Sequence, residues 1–454
     1  MATNRCSSAI NCSQATPTLR KGLGATVAFT YSGDRSVIAK VMGTRLQIWT
    51  CFVLASACKT PGTQNASVQS APRTSLAPTA LGVEDVAADE AGYIQQLQDL
   101  TIDIMKMNQK KMGAPNPVRD VHTKANGCIN GIFEIDPNLD SSLHTGVLQP
   151  GARYPVIIRM SPGVPGIEPD NGVTTRGLAM KLLQVDAVLD KYQVPTEERS
   201  WLLPQFAGLQ QDFTFLNAEQ FIIKDLSRYI IFTKELAKGN PLPAFINPNP
   251  FHPIFQPREL KLFIDEATQK VANLLGISYF GQLPYKFKDT AFKYRMDPCP
   301  SQKPLPTMNT KDPDYLRKAM TETLKGTTVC YAFSIILQKD ANIQPIEDTT
   351  IAWPSSDKDI AAHKPTANRT EVGRLTIPPQ DFSSDAVEQR CERLSFNPWN
   401  GLAAHKPLGN MSRARKAVYL AGAANRPSDR GVQTPDEEQL AILKKYSAYG
   451  LAPK

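Results

Sequence analysis

The sequence predicts an α+β fold, an antiparallel barrel or sheet with a helical flank. Three observations lead there. Candidate strands gather in the middle of the 454-residue chain, helical patterns precede, interrupt and follow them, and the 36 prolines imply long irregular connections rather than a compact helical bundle. From Tyr93 to Met107 apolar residues recur in a pattern that suits a helix (Ile94, Leu97, Leu100, Ile102, Ile104, Met105), and ordered structure is expected to begin near Ala91. Strands are expected at Gly131–Ile135, Tyr154–Met160, Leu178–Val185, Phe213–Phe215 with Phe221–Ile223, Thr328–Leu337 and Arg374–Ile377, where β-branched and aromatic residues run between Gly and Pro clusters. Arg258–Leu275 and Tyr315–Leu324 read as helices. Thr434-Pro435-Asp436-Glu437 reads as a capping box with proline at the first helical position, opening a last helix to Tyr446.

Ahead of this the chain changes character. Residues 1–88 are expected to be a disordered N-terminus, and 89–454 the folded domain. Within the N-terminal part, Arg45 precedes a short apolar run from Leu46 to Ala57, and Cys58 follows it. A basic start, a short apolar segment and small residues describe a secretory signal. The end at Cys58 resembles a bacterial lipoprotein signal (42–58), with Met42 as its natural start and Cys58 as the lipid anchor. That reading sends the protein to the periplasm or to a membrane; the alternative is a cytoplasmic protein with an unprocessed N-terminus. Residues 59–88, rich in Ser, Thr, Ala and Pro, read as a flexible tether.

Composition excludes some classes. The net charge of +8 is spread along the chain, without a dense basic block and interleaved aromatics, which argues against nucleic acid as a partner. The eight cysteines include no C-x-x-C pair, and Cys128, Cys299, Cys330 and Cys391 are far apart. Buried free thiols are expected, rather than a zinc site or a disulfide framework.

The chemistry-bearing residues fall in blocks. Arg119-Asp120-Val121-His122-Thr123-Lys124 opens the strand region, and His122 is one of five histidines. There follow Val156-Ile157-Ile158-Arg159-Met160-Ser161, then Asp170 through Arg176-Gly177-Leu178-Ala179-Met180-Lys181, then Phe215-Leu216-Asn217 through Phe221 to Asp225. Downstream are Glu347 through Trp353-Pro354, Val372-Gly373-Arg374-Leu375 and Phe396-Asn397-Pro398. Last come Arg415-Lys416-Ala417-Val418-Tyr419 and Arg426. Residues four apart share a helix face, so Arg415 lies over Tyr419. By itself such a pair is common on helix surfaces. A fixed guanidinium nonetheless favours the phenolate, and tyrosinate is one of the few protein ligands of haem iron.

In order and spacing these blocks resemble the haem core of the catalase family, over about residues 90 to 430. The resemblance implies a catalase-like antiparallel β-barrel haem core with flanking helices, haem b as cofactor and a small peroxide as substrate. It implies Tyr419 as the iron ligand, with Arg415 keeping it a phenolate. His122 would be the distal base that takes a proton from peroxide and returns it to the leaving oxygen, with Ser161 orienting it. Arg119, Arg159 and Arg426 would meet the haem carboxylates. The sequence departs from the family pattern where an asparagine pair is expected and Leu216-Asn217 stands. Leucine takes the distal position unless a bulge brings in Asn217, which is retained as a catalytic candidate. Tyr229 replaces a phenylalanine. Peroxidase-like turnover is therefore expected over fast disproportionation. The alternatives are a haem-binding protein with little turnover and a hydroperoxide-rearranging enzyme like the allene oxide synthases, which Val121 does not favour. A monomer or dimer is expected.

Overall fold

The computed structural model describes residues 80–204, 210–249, 253–353, 369–428, 434–447 and 449. Met42, Cys58 and the apolar run between them lie outside the described residues, as does most of the stretch read as a tether. Its last residues are described and are tied down. Glu84 accepts from Lys406 Nζ and Arg413 Nη1, each at 2.6 Å, and from the Gly409 amide at 2.9 Å.

The core is a closed antiparallel barrel. Its strands are β1 (Gly127–Ile135), β2 (Arg153–Pro162), β3 (Arg176–Leu182), β4 (Gln211–Leu216), β7 (Tyr279–Phe287), β8 (Thr290–Pro298), β9 (Val329–Leu337) and β10 (Thr370–Ile377), in the order β1-β10-β9-β8-β7-β4-β3-β2. β5 (Ile246–Asn247) and β6 (Ile254–Phe255) form a separate short pair. Flanking helices are α1 (Glu90–Met112), α2 (Val185–Lys191), α3 (Leu226–Ala237), α4 (Pro257–Ala267), α5 (Tyr315–Leu324), α6 (Asp385–Arg393), α7 (Asn410–Ala424) and α8 (Glu437–Lys445). The α+β class and the barrel are as expected.

Period-two alternation builds the interior. Tyr154, Val156, Ile158 and Met160 of β2, Leu178, Met180 and Leu182 of β3, and Phe213 and Phe215 of β4 share one core cluster with Phe133, Tyr294 and Phe333. The rings meet edge to face, as in Phe133–Phe333 (centroids 5.0 Å apart) and Phe215–Tyr294 (4.9 Å). Each such ring contributes roughly 1.5–3 kcal/mol by burial. Several strands are buried on both faces, because helices and long loops cover the outside of the barrel; all nine residues of β1 are buried.

Several local expectations are corrected. Phe221–Ile223 is not a strand, and the helix expected over Arg258–Leu275 stops at Ala267, followed by a separate 3-10 turn at Leu274–Gly276. The last helix is capped two residues later than expected, by Asp436 with Gln439 in a capping box. The β7–β8 hairpin went unpredicted because Pro284 and Gly281 interrupt its pattern. Both sit where the register shifts between Gly281 and Tyr285, a bulge that tolerates them. The four described cysteines form disulfides, Cys128–Cys391 and Cys299–Cys330, with Cα atoms 5.7 and 5.4 Å apart, where free thiols were expected. Sequence spacing hides both pairs: the first joins β1 to α6 across 263 residues, and the second joins the ends of two neighbouring strands.

Candidate functional site

The pleat that turns core residues inward turns their neighbours outward. On β2 these are Arg159 and Ser161, on β3 Gly177 and Ala179, on β4 Thr214 and Leu216, and on β7 Phe280 and Gln282. All eight line a cavity of about 790 Å³ outside the barrel wall. Its other wall is helical. α7 supplies Met411, Ala414, Arg415, Val418, Tyr419, Gly422 and Ala423, a stripe at spacings of three and four, with further residues from α1, α3 and α4.

On the helical wall Arg415 Nη2 donates to Tyr419 Oη at 2.8 Å and to Thr214 Oγ1 at 3.0 Å. Burial works against the Arg415 charge. The Tyr419 and Tyr285 phenols nonetheless hold the guanidinium above its ordinary range, so Arg415 is a fixed cation beside Tyr419. The helix brings this pair together through one turn, as the sequence implied.

On the barrel side the His122 Nδ1 lies 3.1 Å from Ser161 Oγ. Burial, then Arg159 and Arg415, push the imidazole down to about 4, so it is neutral at pH 7. With the hydroxyl as acceptor, Nδ1 carries the proton and Nε2 has a free lone pair. His122 has a φ of 57°, in the left-handed region that non-glycine residues seldom adopt. The surroundings over-determine it. Asn108 of α1 is 1% exposed and donates to the carbonyls of Arg119 at 2.9 Å and Asp120 at 2.8 Å. Thr123 Oγ1 donates to the Arg119 carbonyl at 3.0 Å, and Arg159 Nη2 to the Thr123 carbonyl at 3.2 Å. Asn108 was missed in the sequence because it sits near the C-terminal end of α1, where a lone asparagine is an ordinary surface residue. The signal available was a polar residue on the apolar face of α1, in step with Leu97, Ile104 and Met105.

At one end of the cavity Arg119, Arg159 and Arg426 converge on the end of α6. Arg119 Nη1 meets Glu392 Oε2 at 2.5 Å and Arg159 Nη2 meets Oε1 at 3.3 Å. Arg426 donates to the carbonyls of Glu392 and Leu394, each at 2.8 Å. Burial and mutual repulsion lower Arg159 and Arg426 to about 9, still charged at neutral pH, and burial lowers Arg119 as well. Arg159 Nε is buried without a hydrogen-bond partner. Glu392, held below the usual carboxylate range by Arg119 and Arg159 although burial opposes this, and Asp120, which burial raises, are the nearby acids. The cluster thus carries three guanidinium groups against two acids. Cys391 pins the segment to β1 through its disulfide. Glu392 was not singled out in the sequence, where nothing distinguishes it from a surface glutamate.

Seven of the eight residues singled out from the sequence therefore line one cavity. Asn217 does not. It is 3% exposed, its Oδ1 accepts from the Arg176 amide at 2.6 Å, and its Nδ2 donates to Gln269 Oε1 at 2.9 Å. The reason is the pleat. Leu216 pairs in regular register with Gly177 and with Phe280 and faces the cavity, so the next residue points elsewhere. No bulge intervenes.

A second buried set fixes the approach to α7. Lys181 and Asp212, register partners on β3 and β4, form an ion pair at 2.7 Å with side chains 1% and 0% exposed. Asp212 also accepts from the Asn397 amide at 2.9 Å, and Lys181 Nζ lies 5.2 Å from the centre of the Phe396 ring. Trp399 Nε1 donates to the Ser412 carbonyl at 2.7 Å, carrying the attachment into α7.

No family model matches the sequence, and no curated protein does. Among solved structures the chain is similar to a fungal catalase at 16% identity, over 75% of this chain and 63% of that one, with a TM-score of 0.48. It is similar to a bacterial catalase at 15% identity, over 87% of this chain and 70% of that one, also with a TM-score of 0.48. The chain thus spans less than two thirds of the fungal structure. At that level of likeness neither match assigns a chemistry to this chain.

Proposed function

We propose that the protein is a haem-dependent enzyme acting on hydrogen peroxide or organic hydroperoxides. The observation that carries the reading is the sharing of one cavity by Tyr419, held against Arg415, and by His122, held against Ser161. The residues fit haem b on two counts. A phenol beside a fixed guanidinium is a ready ligand for ferric iron. The unpartnered Arg159 Nε, in a cluster short of negative charge, suits the two carboxylates of the ring. Tyr419 would hold the iron, and Arg119, Arg159 and Arg426 the carboxylates. When bound, the group supplies a Lewis-acidic, redox-active iron.

The chain's own residues do the rest. Neutral His122 accepts the peroxide proton at Nε2 and returns it to the departing oxygen, so that water leaves from hydrogen peroxide and an alcohol from an organic hydroperoxide, rather than hydroxide or alkoxide. Ser161 and the clamp from Asn108 keep the ring oriented, which removes reorganisation from the reaction. Arg415 holds the Tyr419 oxygen in place through its Nη2 hydrogen bond. Leu216 offers peroxide no hydrogen bond, which favours peroxidase-type turnover over fast disproportionation. The same leucine supports the second reading, a haem-binding protein with little turnover. The two disulfides fit an oxidising compartment and so support export.

The two readings separate in rates of hydrogen peroxide and cumene hydroperoxide consumption by wild type and His122→Ala. The enzyme reading expects the variant to be slower by about 100-fold or more. Equal rates would leave the binding role alone.

A further inference from the structure

The cavity contains a polar group that the proposed chemistry does not use. α4 turns Phe263, Glu266 and Ala267 onto it, at spacings of three and four, and the lining also includes the apolar Leu216 and Phe280. Glu266 is 6% exposed, and its Oε1 is enclosed with no hydrogen-bond partner. The same helix shows how a buried carboxylate is ordinarily held. Glu259, also 6% exposed, receives Arg228 Nε at 2.9 Å and Nη2 at 2.7 Å. Among the described residues Glu266 has no such cation. Lys238 at the cavity rim is committed to Glu235 at 2.7 Å. Left alone in apolar surroundings, the Glu266 carboxyl is pushed up to about 9, first by burial and then by neighbouring Asp265, so it is a neutral acid at pH 7. A neutral carboxylic acid has one O–H to donate, and leaving it unpaired is a standing cost that a ligand can relieve.

We propose that Glu266 is the donor of a second recognition point, which takes the uncharged oxygen acceptor (a carbonyl or hydroxyl) of an otherwise apolar organic molecule. A carboxylate ligand would be buried there with one donor and no cation, and is selected against. As a statement about substrate, this rests on the hydroperoxide reading and narrows it to organic hydroperoxides whose chain carries an uncharged oxygen. As a statement about binding it stands separately, and its test reads neither turnover nor a haem signal.

The test is calorimetric titration of the purified full chain at pH 7 with three probes of equal chain length: 2-heptanone, heptanoate and heptylammonium. At the site that Glu266 provides, the proposal expects 2-heptanone to bind about 10-fold more tightly than either charged probe, the worth of one buried hydrogen bond; heptanoate bound equally by wild type and Glu266→Leu is held by the arginine cluster and is not counted. Glu266→Leu should abolish that preference, while Glu266→Gln, which keeps an N–H donor, should hold 2-heptanone within about threefold of wild type. Tightest binding of heptylammonium would mean an ion pair at Glu266 and overturn the proposal. So would tightest binding of heptanoate that Glu266→Leu removes, no binding of 2-heptanone, or an unchanged preference in Glu266→Leu. Should the leucine variant not fold, the ranking of 2-heptanone against heptylammonium on wild type and on Glu266→Gln decides alone.

Discussion

A Cβ at Gly177 would stand 2.7 Å from His122 Cε1 and 3.0 Å from Nδ1. The imidazole rests on bare backbone of β3, and the contact leaves no room for a methyl group. Gly177→Ala must therefore shift the ring or the strand, at roughly 1–3 kcal/mol. The fold should survive, because Gly177 is on the outer face of the barrel. Hydroperoxide consumption should fall on the order of 100-fold, as expected when a reacting group is displaced by about an ångström. Circular dichroism and the rate, measured together, check this; a wild-type rate would contradict the placement of His122.

The pH dependence follows from the lowered His122 value. A base at about 4 is unprotonated from neutrality down to roughly pH 5. The His122-dependent rate should thus be flat from pH 8 to about 5 and decline as pH approaches 4. A rate that halves near the ordinary histidine value of about 6.5 would show that the ring is not desolvated. His405, 1% exposed and also lowered to about 4 by burial, bears on stability, and His122 adds a like amount by the same linkage. In each the folded value lies below the unfolded value, so the unfolded chain binds the proton first. Each contribution is present above about pH 6.5 and is lost as pH falls towards 4, by up to about 3 kcal/mol. Unfolding midpoints in urea across that range measure it.

Leu216 faces the cavity and Asn217 points away from it, and the pleat explains why. Leu216→Asn should place an amide in the cavity and raise hydrogen peroxide consumption about 10-fold relative to that of organic hydroperoxide. Asn217→Ala should cost about 1–3 kcal/mol, through the unpaired Arg176 amide, and leave that ratio unchanged. A changed ratio in Asn217→Ala, with none in Leu216→Asn, would reverse the assignment.

The barrel was legible because β-branched runs between Gly and Pro clusters mark strands, and because the blocks around His122, Arg159 and Arg176 keep their order. The Arg415–Tyr419 pairing was legible because helix geometry alone sets it. What escaped depends on residues distant in sequence. Asn108 acts on carbonyls eleven and twelve residues away, Glu392 meets Arg119 from 273 residues away, and Cys128 finds Cys391. Asn217 was misjudged for a local reason: a one-residue slip in a strand reverses the face, and sequence does not reveal whether a bulge absorbs it.

The Cys128–Cys391 disulfide holds the carbonyls that receive Arg119 and Arg426. Cys128→Ser/Cys391→Ser should lower stability by roughly 2–5 kcal/mol, given the length of the loop closed. It should also weaken haem uptake through the arginine cluster while leaving the Tyr419 spectral signature intact in the fraction loaded. Unchanged stability in denaturant would show that the bridge does not constrain the chain.

The central claim is that Tyr419, fixed by Arg415, holds a haem, and the absorption spectrum of the full chain after haem reconstitution tests it most directly. The prediction is a high-spin ferric tyrosinate spectrum in wild type that is lost in Tyr419→Phe. No such spectrum in wild type, or the same spectrum in Tyr419→Phe, would contradict it.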